Sequence, residues 1–572
     1  MRRRFDLQTT IALLLLAVAV ALPIPGLMGY QGPPMEEGFM LAFPQRILAG
    51  AVPHVDFLHL YGPGSLYVLA GVYKVFGDTL EVERIVGIVQ HCLLIFAMFW
   101  FARPWGRVSA LFAGLITLVI TISPLGLSAM AWNGALGLAM AGIAVLVPGL
   151  DGGGRVRLST AGVCFGAALL YRPDMIVAIG LTCVIAWLML GRDPAARRDR
   201  WYGLAGAVVT SALIVPFLIA VGFERAIEGM FLQPVFDLRD GRTLPVPPSW
   251  SEPDGYLQKA GGLRVSRWPL PMLEIGPQIA LWFWLVPVSV LFVVFAAWRC
   301  CKVQPERLRP RGLAVGAAFA LGLLPQAFQR PDTAHLSWVS CVSFALVPLA
   351  ILELWTIRTP LAGEVPSGVT VKQGIVGLVP ALRRSLARPV AAVLPILFVL
   401  VAVIPFYPLR TYADLVGQSF GHNVFGYEIV RGNRRFFYGS EEAAANAQRI
   451  VDRLDEESNA GQRLIVAPYD LALTPYSDAF FYYLFPELVP GTRYIEMDPG
   501  LADAVGSGLA EELANNDWLI LSDVWSGWEE PNSSVERGDE RPNEIVARDY
   551  CEVLDAAPFR LLQRCDRTRR GS

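Results

Sequence analysis

Apolar runs too long for a soluble core decide what this chain can be. Stretches of about 15 to 22 apolar residues recur along it, enough to cross roughly 30 Å of hydrocarbon when the shorter ones lie deep in a bundle. Eleven read as spans, near residues 10–29, 84–102, 108–124, 132–149, 158–170, 174–191, 202–222, 277–298, 312–327, 337–355 and 389–406. Composition agrees, since 54% of the 572 residues are hydrophobic and only 17% charged, too apolar for a soluble protein of this length. In hydrocarbon every backbone polar group must find its partner inside the protein, so the fold class is a multi-pass α-helical membrane protein.

The net charge of −2 leaves no basic balance for a nucleic-acid partner. It conceals an asymmetry. Residues 1–406 carry 32 Lys and Arg against 22 Asp and Glu, whereas residues 407–572 carry 16 against 28. A basic membrane part therefore precedes an acidic soluble part. Alternate connections hold the arginines: Arg2 to Arg4, Arg103 with Arg107, Arg155 with Arg157, Arg192 to Arg200, Arg299 to Arg311, and Arg358 to Arg388. The positive-inside rule puts these on the cytoplasmic side of the plasma membrane, with the N-terminus. After an odd number of spans the tail is extracytoplasmic. The first apolar stretch follows Arg2-Arg3-Arg4 as in a signal peptide, but it is long enough to span and no small-residue cleavage site follows it, so an anchor is expected. Three segments then face outward: 30–83, 222–277 and the short turn Phe328 to Trp338. Connections of the first two lengths usually carry function.

The tail reads as an α/β domain. Arg463 to Ala467, Trp518 to Ser522 and Phe559 to Gln563 are short apolar strands, with helical patterns at Glu441 to Glu456 and Leu501 to Ala514. Cys551 and Cys565 flank the last strand outside the reducing compartment, so a disulfide between them is expected. Eight cysteines in all, without a CxxC pair beside histidines, exclude a structural zinc scaffold.

Chemistry is to be sought where ionisable groups face the outer surface. Glu36 and Glu37 stand just beyond the first span, at the start of a helical stretch ending near Leu48. Acids there complement the helix dipole in any protein. The functional reading is a general base near the membrane surface, its neighbour tuning it or binding a cation. Arg330, Asp332 and His335 form the third outer turn, and Arg172 with Asp174 makes a similar one. Ionisable groups at membrane depth are costly and so are functional candidates, although Arg–Asp pairs also cap helix ends.

The order of several short motifs carries a resemblance. Glu36-Glu37-Gly38, Gln45-Arg46-Ile47-Leu48-Ala49-Gly50, Val52-Pro53-His54-Val55-Asp56-Phe57, Tyr61-Gly62-Pro63-Gly64, Phe76-Gly77 and Glu83-Arg84 resemble the first outer loop of GT-C glycosyltransferases, in the clan of the protein O-mannosyltransferases and aminoarabinose transferases. Bacterial members often read Asp-Glu-Gly where this chain has Glu36-Glu37-Gly38, which leaves open which carboxylate is the base. Met497-Asp498-Pro499-Gly500 in the tail resembles members that build actinobacterial cell-wall glycans. The resemblance implies a transmembrane catalytic domain over residues 1–406 and an extracytoplasmic α/β domain over 407–572. It implies a hexosyl- or pentosyltransferase taking a sugar from a polyprenyl-phosphate donor to a cell-envelope glycan, lipid or protein, in contact with the bilayer.

The expected catalytic residues are then Glu36 and Glu37, and the expected substrate-binding residues His54, Asp56, Tyr61, Arg172, Asp174, Arg330, Asp332 and His335. Arg330 and His335 are the first choice for the carrier phosphate, with Arg172, Arg239, Arg242 and Arg264 behind them. Metal dependence stays open, a divalent cation such as Mg or Mn being the candidate cofactor. A transporter or lipid-carrier flippase would also have many spans and buried charges, but would show matched broken halves. A non-catalytic envelope scaffold would explain the tail but not the carboxylate pair.

Overall fold

The computed structural model describes residues 7–191, 194–246, 275–358, 378–404, 408–422, 426–525 and 529–565. Part of the second outer segment, 247–274 with Arg264, lies outside them, as do Arg2 to Arg4, Arg192 and part of the last inner connection. Among the described residues eight helices are long and apolar enough to cross a membrane: Leu7–Met28, Leu80–Trp105, Ala131–Leu150, Pro173–Leu190, Ala196–Val221, Pro277–Val303, Leu308–Gln329 and Thr333–Ile357. A ninth results if Ala387–Val403 and Pro408–Ser419, bent by 74°, form one span.

The expected count of eleven is therefore not reached by length and apolarity. The two remaining expected spans are helices too, Arg107–Leu125 and Arg155–Tyr171, but shorter. The first is an inner helix, with Ala110, Ala113, Leu118 and Ile120 buried in the main bundle core. A helix covered on all sides by protein can be shorter than the bilayer is thick.

The tail builds a five-stranded sheet in the order β4-β3-β5-β7-β6, where β3 is Arg463–Pro468, β4 Val489–Pro490, β5 Trp518–Ser522, β6 Tyr550–Ala556 and β7 Phe559–Arg564. Strands β3, β4 and β5 run parallel; β7 is antiparallel to β5 and β6. Every residue of β5 is buried, as its uninterrupted apolar run requires of a central strand. A hairpin of β1 (Tyr427–Arg431) and β2 (Arg434–Tyr438) precedes the sheet. Ser440 caps the helix Glu441–Glu457, its hydroxyl accepting from the Ala443 amide. The helix expected from Leu501 covers only Leu509–Ala514, because Gly506 and Gly508 take φ of +81° and +89° and break the chain into turns. Cys551 and Cys565 are joined, linking β6 to the end of β7.

The tail is seated on the bundle and shares a core with the first outer segment. Phe39, Phe43 and Phe57 from that segment pack in one cluster with Phe436, Tyr438, Phe480 and Phe481 of the tail. Phe436 stacks on Phe480 with ring centroids 4.5 Å apart. The helix Glu36–Leu48 is consequently buried nearly all round from Glu37 to Pro44. A side chain at Gly38 would stand 2.4 Å from the Phe480 amide nitrogen, so only glycine admits this approach.

Within the shared core Asp478 is fully buried, accepting from the Tyr438 hydroxyl at 3.3 Å and Trp525 Nε1 at 3.0 Å. Burial outweighs these bonds and pushes its carboxyl up to about 6 from 3.8. The folded state thus binds this proton more tightly than the unfolded one. Its stabilising effect is complete below pH 3.8 and fades as pH rises to about 6. Asp478→Asn should remove that dependence: in unfolding measurements from pH 4 to 7, the wild type should lose up to about 3 kcal/mol relative to the variant. A constant difference between the two would show that Asp478 is ionised throughout.

Candidate active site

Three outward segments and the tail meet in one cavity of about 60 Å³ at one end of the bundle. The first segment supplies Met35, Glu36, Phe39 and Tyr61; the second supplies Arg242; the third turn supplies Arg330, Asp332 and His335; the tail supplies Tyr476 and Glu496. Met130 and Trp338 add apolar wall. Five of the expected site residues are thus brought together from positions up to 299 residues apart in sequence.

Glu36 and Glu37 part company. Both lie in the first turn of the helix Glu36–Leu48, where successive side chains point about 100° apart. Glu36 lines the cavity. Glu37 is 1% exposed and held by Arg84, which donates from Nε at 2.8 Å and from Nη2 at 2.7 Å. The remaining Arg84 nitrogen, Nη1, donates to the Leu27 and Met28 carbonyls, each at 2.9 Å, tying the end of the first span to this helix. A buried, bidentate and fully bonded pair of this kind holds structure together.

In the third turn one carboxylate serves two partners. Asp332 stands just before the helix that begins at Thr333; its Oδ1 accepts from the His335 amide and lies 2.8 Å from His335 Nδ1, while its Oδ2 accepts from Arg330 Nε at 2.7 Å. Burial alone would raise this carboxyl, but His335 and Arg330 outweigh burial and hold it low. The imidazole is thereby oriented with Nδ1 toward Asp332, which leaves Nε2 for the cavity.

Arg330 is heavily engaged. It also donates from Nη1 to the Arg242 carbonyl at 2.8 Å and to Glu530 at 2.9 Å, and Nη2 meets the other Glu530 oxygen. Of its five N–H groups at most one remains. Arg242 is less committed: it faces Asp498 at 3.4 Å and lines the cavity.

Glu496 is the second carboxylate of the cavity, 3% exposed. Burial, with Asp498 and Glu36 adding to it, raises its carboxyl well above the usual range against the pull of Arg242. The two acids of the cavity therefore disfavour being charged together. The tail's contribution is also strained: Tyr476 and Met497 hold φ of +102° and +53°, and the Tyr476 amide donates to the Met497 carbonyl. Such conformations persist only where the surroundings over-determine them.

The other expected residues lie elsewhere. Arg172 and Asp174 form a bidentate pair at 2.9 and 2.6 Å, with the guanidinium stacked over the rings of Tyr61, at 4.0 Å, and Trp132, at 4.4 Å. They support the cavity wall from behind. Asp56 accepts from the Val52 amide at 2.7 Å and so closes its own loop. His54 lines a second cavity. For a divalent cation the donor set fits poorly: among the described residues no group of three or more His, Cys, Asp or Glu is placed to hold a metal, and Arg242 already pulls on Glu496.

No protein-family model matches this sequence, and no curated protein does. Solved structures do. ArnT from Cupriavidus metallidurans bound to undecaprenyl phosphate superposes with a TM-score of 0.53 at 14% identity, covering 97% of this chain and 98% of that one. The same protein in the apo state gives 0.53 at 15% over the same shares. An oligosaccharyltransferase from Archaeoglobus fulgidus in the apo form matches with a TM-score of 0.45 at 11% identity, over 89% of this chain and 69% of that one. The likeness to ArnT runs through bundle and tail together, so this chain has the fold of ArnT, a helical bundle carrying an α/β domain.

Proposed function

We propose that this protein is a membrane glycosyltransferase that moves a sugar from a polyprenyl-phosphate carrier to a hydroxyl of a cell-envelope acceptor, glycan, lipid or protein. The observation that carries the reading is the convergence of Glu36, Arg242, Arg330, His335 and Glu496 on one cavity at the end of a helical bundle. Base, phosphate-binding cations and a lipid-accessible wall are what such a transfer requires. The fold shared with a protein bound to undecaprenyl phosphate supports it.

In this mechanism Glu36 takes the proton from the acceptor hydroxyl as its oxygen bonds to the sugar's anomeric carbon. The bond from that carbon to the carrier phosphate breaks, and its electron pair leaves on the phosphate oxygen. Arg242 receives the developing charge. Arg330 anchors Arg242 through its carbonyl and ties the third turn to Glu530 of the tail. His335 faces the phosphate with Nε2, its other ring nitrogen held on Asp332. Glu496, kept protonated, donates a hydrogen bond to the donor. A divalent cation, Mg or Mn, would have to arrive with the phosphate, and no step here depends on one.

The test is release of undecaprenyl phosphate from a panel of undecaprenyl-phosphate hexoses and pentoses by the protein in liposomes. Release that requires Glu36 supports the proposal; no release from any donor, or equal release by Glu36→Gln, overturns it. Glu496→Gln, which imitates the protonated acid, should keep activity within about tenfold.

The orientation follows from the arginine-rich connections: the cavity and tail face outward at the plasma membrane. In intact cells a cysteine in place of Val505, 83% exposed in the tail, should react with a membrane-impermeant maleimide. One in place of Glu306, in the connection between the helices ending at Val303 and starting at Leu308, should not. The reverse pattern would invert the topology.

A further inference from the structure

A second cavity, of about 240 Å³, lies beside the first and has no part in the mechanism above. Its walls are His54, Val55 and Leu58 of the first outer segment, Arg225, Glu228, Gly229 and Gln233 of the second, and Arg493 of the tail. The volume is that of on the order of eight waters, the scale of one sugar ring. Its lining is mostly polar, and three of its side chains, the two arginines and Gln233, are planar donors.

Three observations mark it as a built site. His54 is 6% exposed with its ring beside the Tyr61 backbone, and Arg493 Nε is buried with no hydrogen-bond partner among the described residues. Buried polar groups in native proteins are nearly always satisfied, so a guanidinium N–H left over at a cavity wall asks for a ligand. His54 also holds a strained φ of +65°. It is pressed against Gly229, where a side chain would stand 2.1 Å from Nδ1, and Gly229 belongs to a π-helical stretch, Glu228–Asp237. Such stretches concentrate at functional sites.

Its position relates it to the first cavity. The His54 and His59 rings are 6.2 Å apart and those of His59 and Tyr61 5.4 Å, and Tyr61 lines the first cavity. Arg225 and Arg493 against Glu228 leave one positive charge, so the occupant is neutral or singly anionic. Forked guanidinium, amide and carboxylate groups suit adjacent hydroxyls. We propose that this cavity binds a sugar residue of the acceptor, next to the one whose hydroxyl reaches Glu36. The proposal rests on the transferase reading and specifies its acceptor as a glycan or glycolipid.

The test uses methyl α-glycosides of mannose, glucose, galactose and arabinofuranose as probes on the full-length protein in detergent. Val55→Cys places a thiol at the cavity mouth, and its maleimide modification is followed by mass spectrometry of that peptide. At least one glycoside should slow modification severalfold without slowing it at Val505→Cys. Protection should be lost on adding Arg493→Ala or, as the milder change, Glu228→Gln. Failure of every glycoside to protect, or protection that survives both variants, overturns the proposal. Adding Glu36→Gln separates the two readings: it should cut transfer by about 10² to 10⁴ and leave protection intact. Protection with undiminished transfer would sink the base assignment and leave the sugar site standing.

Discussion

Glu36→Gln should remove between about 10² and 10⁴ of the transfer rate while the protein folds, inserts and binds its carrier normally. The amide keeps the shape and loses the ability to take a proton, and Glu36 lies at the cavity rather than in the core, so stability has little reason to change. Glu37→Gln should do the opposite. It leaves the Arg84 guanidinium, 2% exposed, without its counter-charge between the first span and the helix Glu36–Leu48. Breaking a buried pair from one side costs about 3–5 kcal/mol, so the variant should melt markedly earlier in detergent. Activity per folded molecule should fall much less than in Glu36→Gln. Equal loss of turnover in both, at unchanged melting temperature, would mean that Glu37 shares the chemistry and that the Arg84 pair opens during turnover.

The adjacency of these two glutamates shows what could be read in the sequence and what could not. That an acid near residue 36 belongs to the cavity was legible from the order of motifs over residues 36–84. Helical geometry then requires that two successive carboxylates face different surroundings. Which of them faces the cavity depended on the partner of Glu37, and Arg84 sits 47 positions away. Most spans and the strands β3, β5 and β7 were legible because burial imposes uninterrupted apolar runs on both. The helix expected from Leu501 failed at Gly506 and Gly508, where a periodic pattern gave way to backbone chemistry.

The tail's share in the cavity was the hardest to foresee. Tyr476 and Glu496 are polar residues of the tail like many others, and their approach to Arg242 and Arg330 is a long-range contact with no local signal. Their backbone strain is a property of the folded loop rather than of residue type. The clearest clue was chemical: Glu496 and Asp498 flank an apolar methionine in a segment otherwise placed to be buried, and buried acids need cationic partners.

Those partners decide which arginine the proposed mechanism assigns to the phosphate. Sequence position favours Arg330, beside His335 in the third turn. Hydrogen bonding favours Arg242. Arg330 already satisfies Asp332, Glu530 and the Arg242 carbonyl, so little of its donor capacity or net charge is left for a substrate. Among the described residues Arg242 faces Asp498 at 3.4 Å, longer than a good charge-assisted bond, with Tyr476 and Tyr61 nearby, and it can turn to a phosphate. Arg242→Ala should therefore lower turnover by about 10² to 10³, the scale of one preorganised donor at a developing anion. Arg242→Lys should recover part of this, because a point charge still attracts the phosphate. Arg330→Lys retains a charge but cannot bridge Asp332, Glu530 and a carbonyl at once. It should raise the apparent KM for the lipid donor and loosen the tail, seen as faster hydrogen exchange around Glu530, while Arg242→Ala leaves that exchange unchanged. Release of carrier phosphate by Arg242→Ala at the wild-type rate would return the role to Arg330 and make Arg242 the anchor instead.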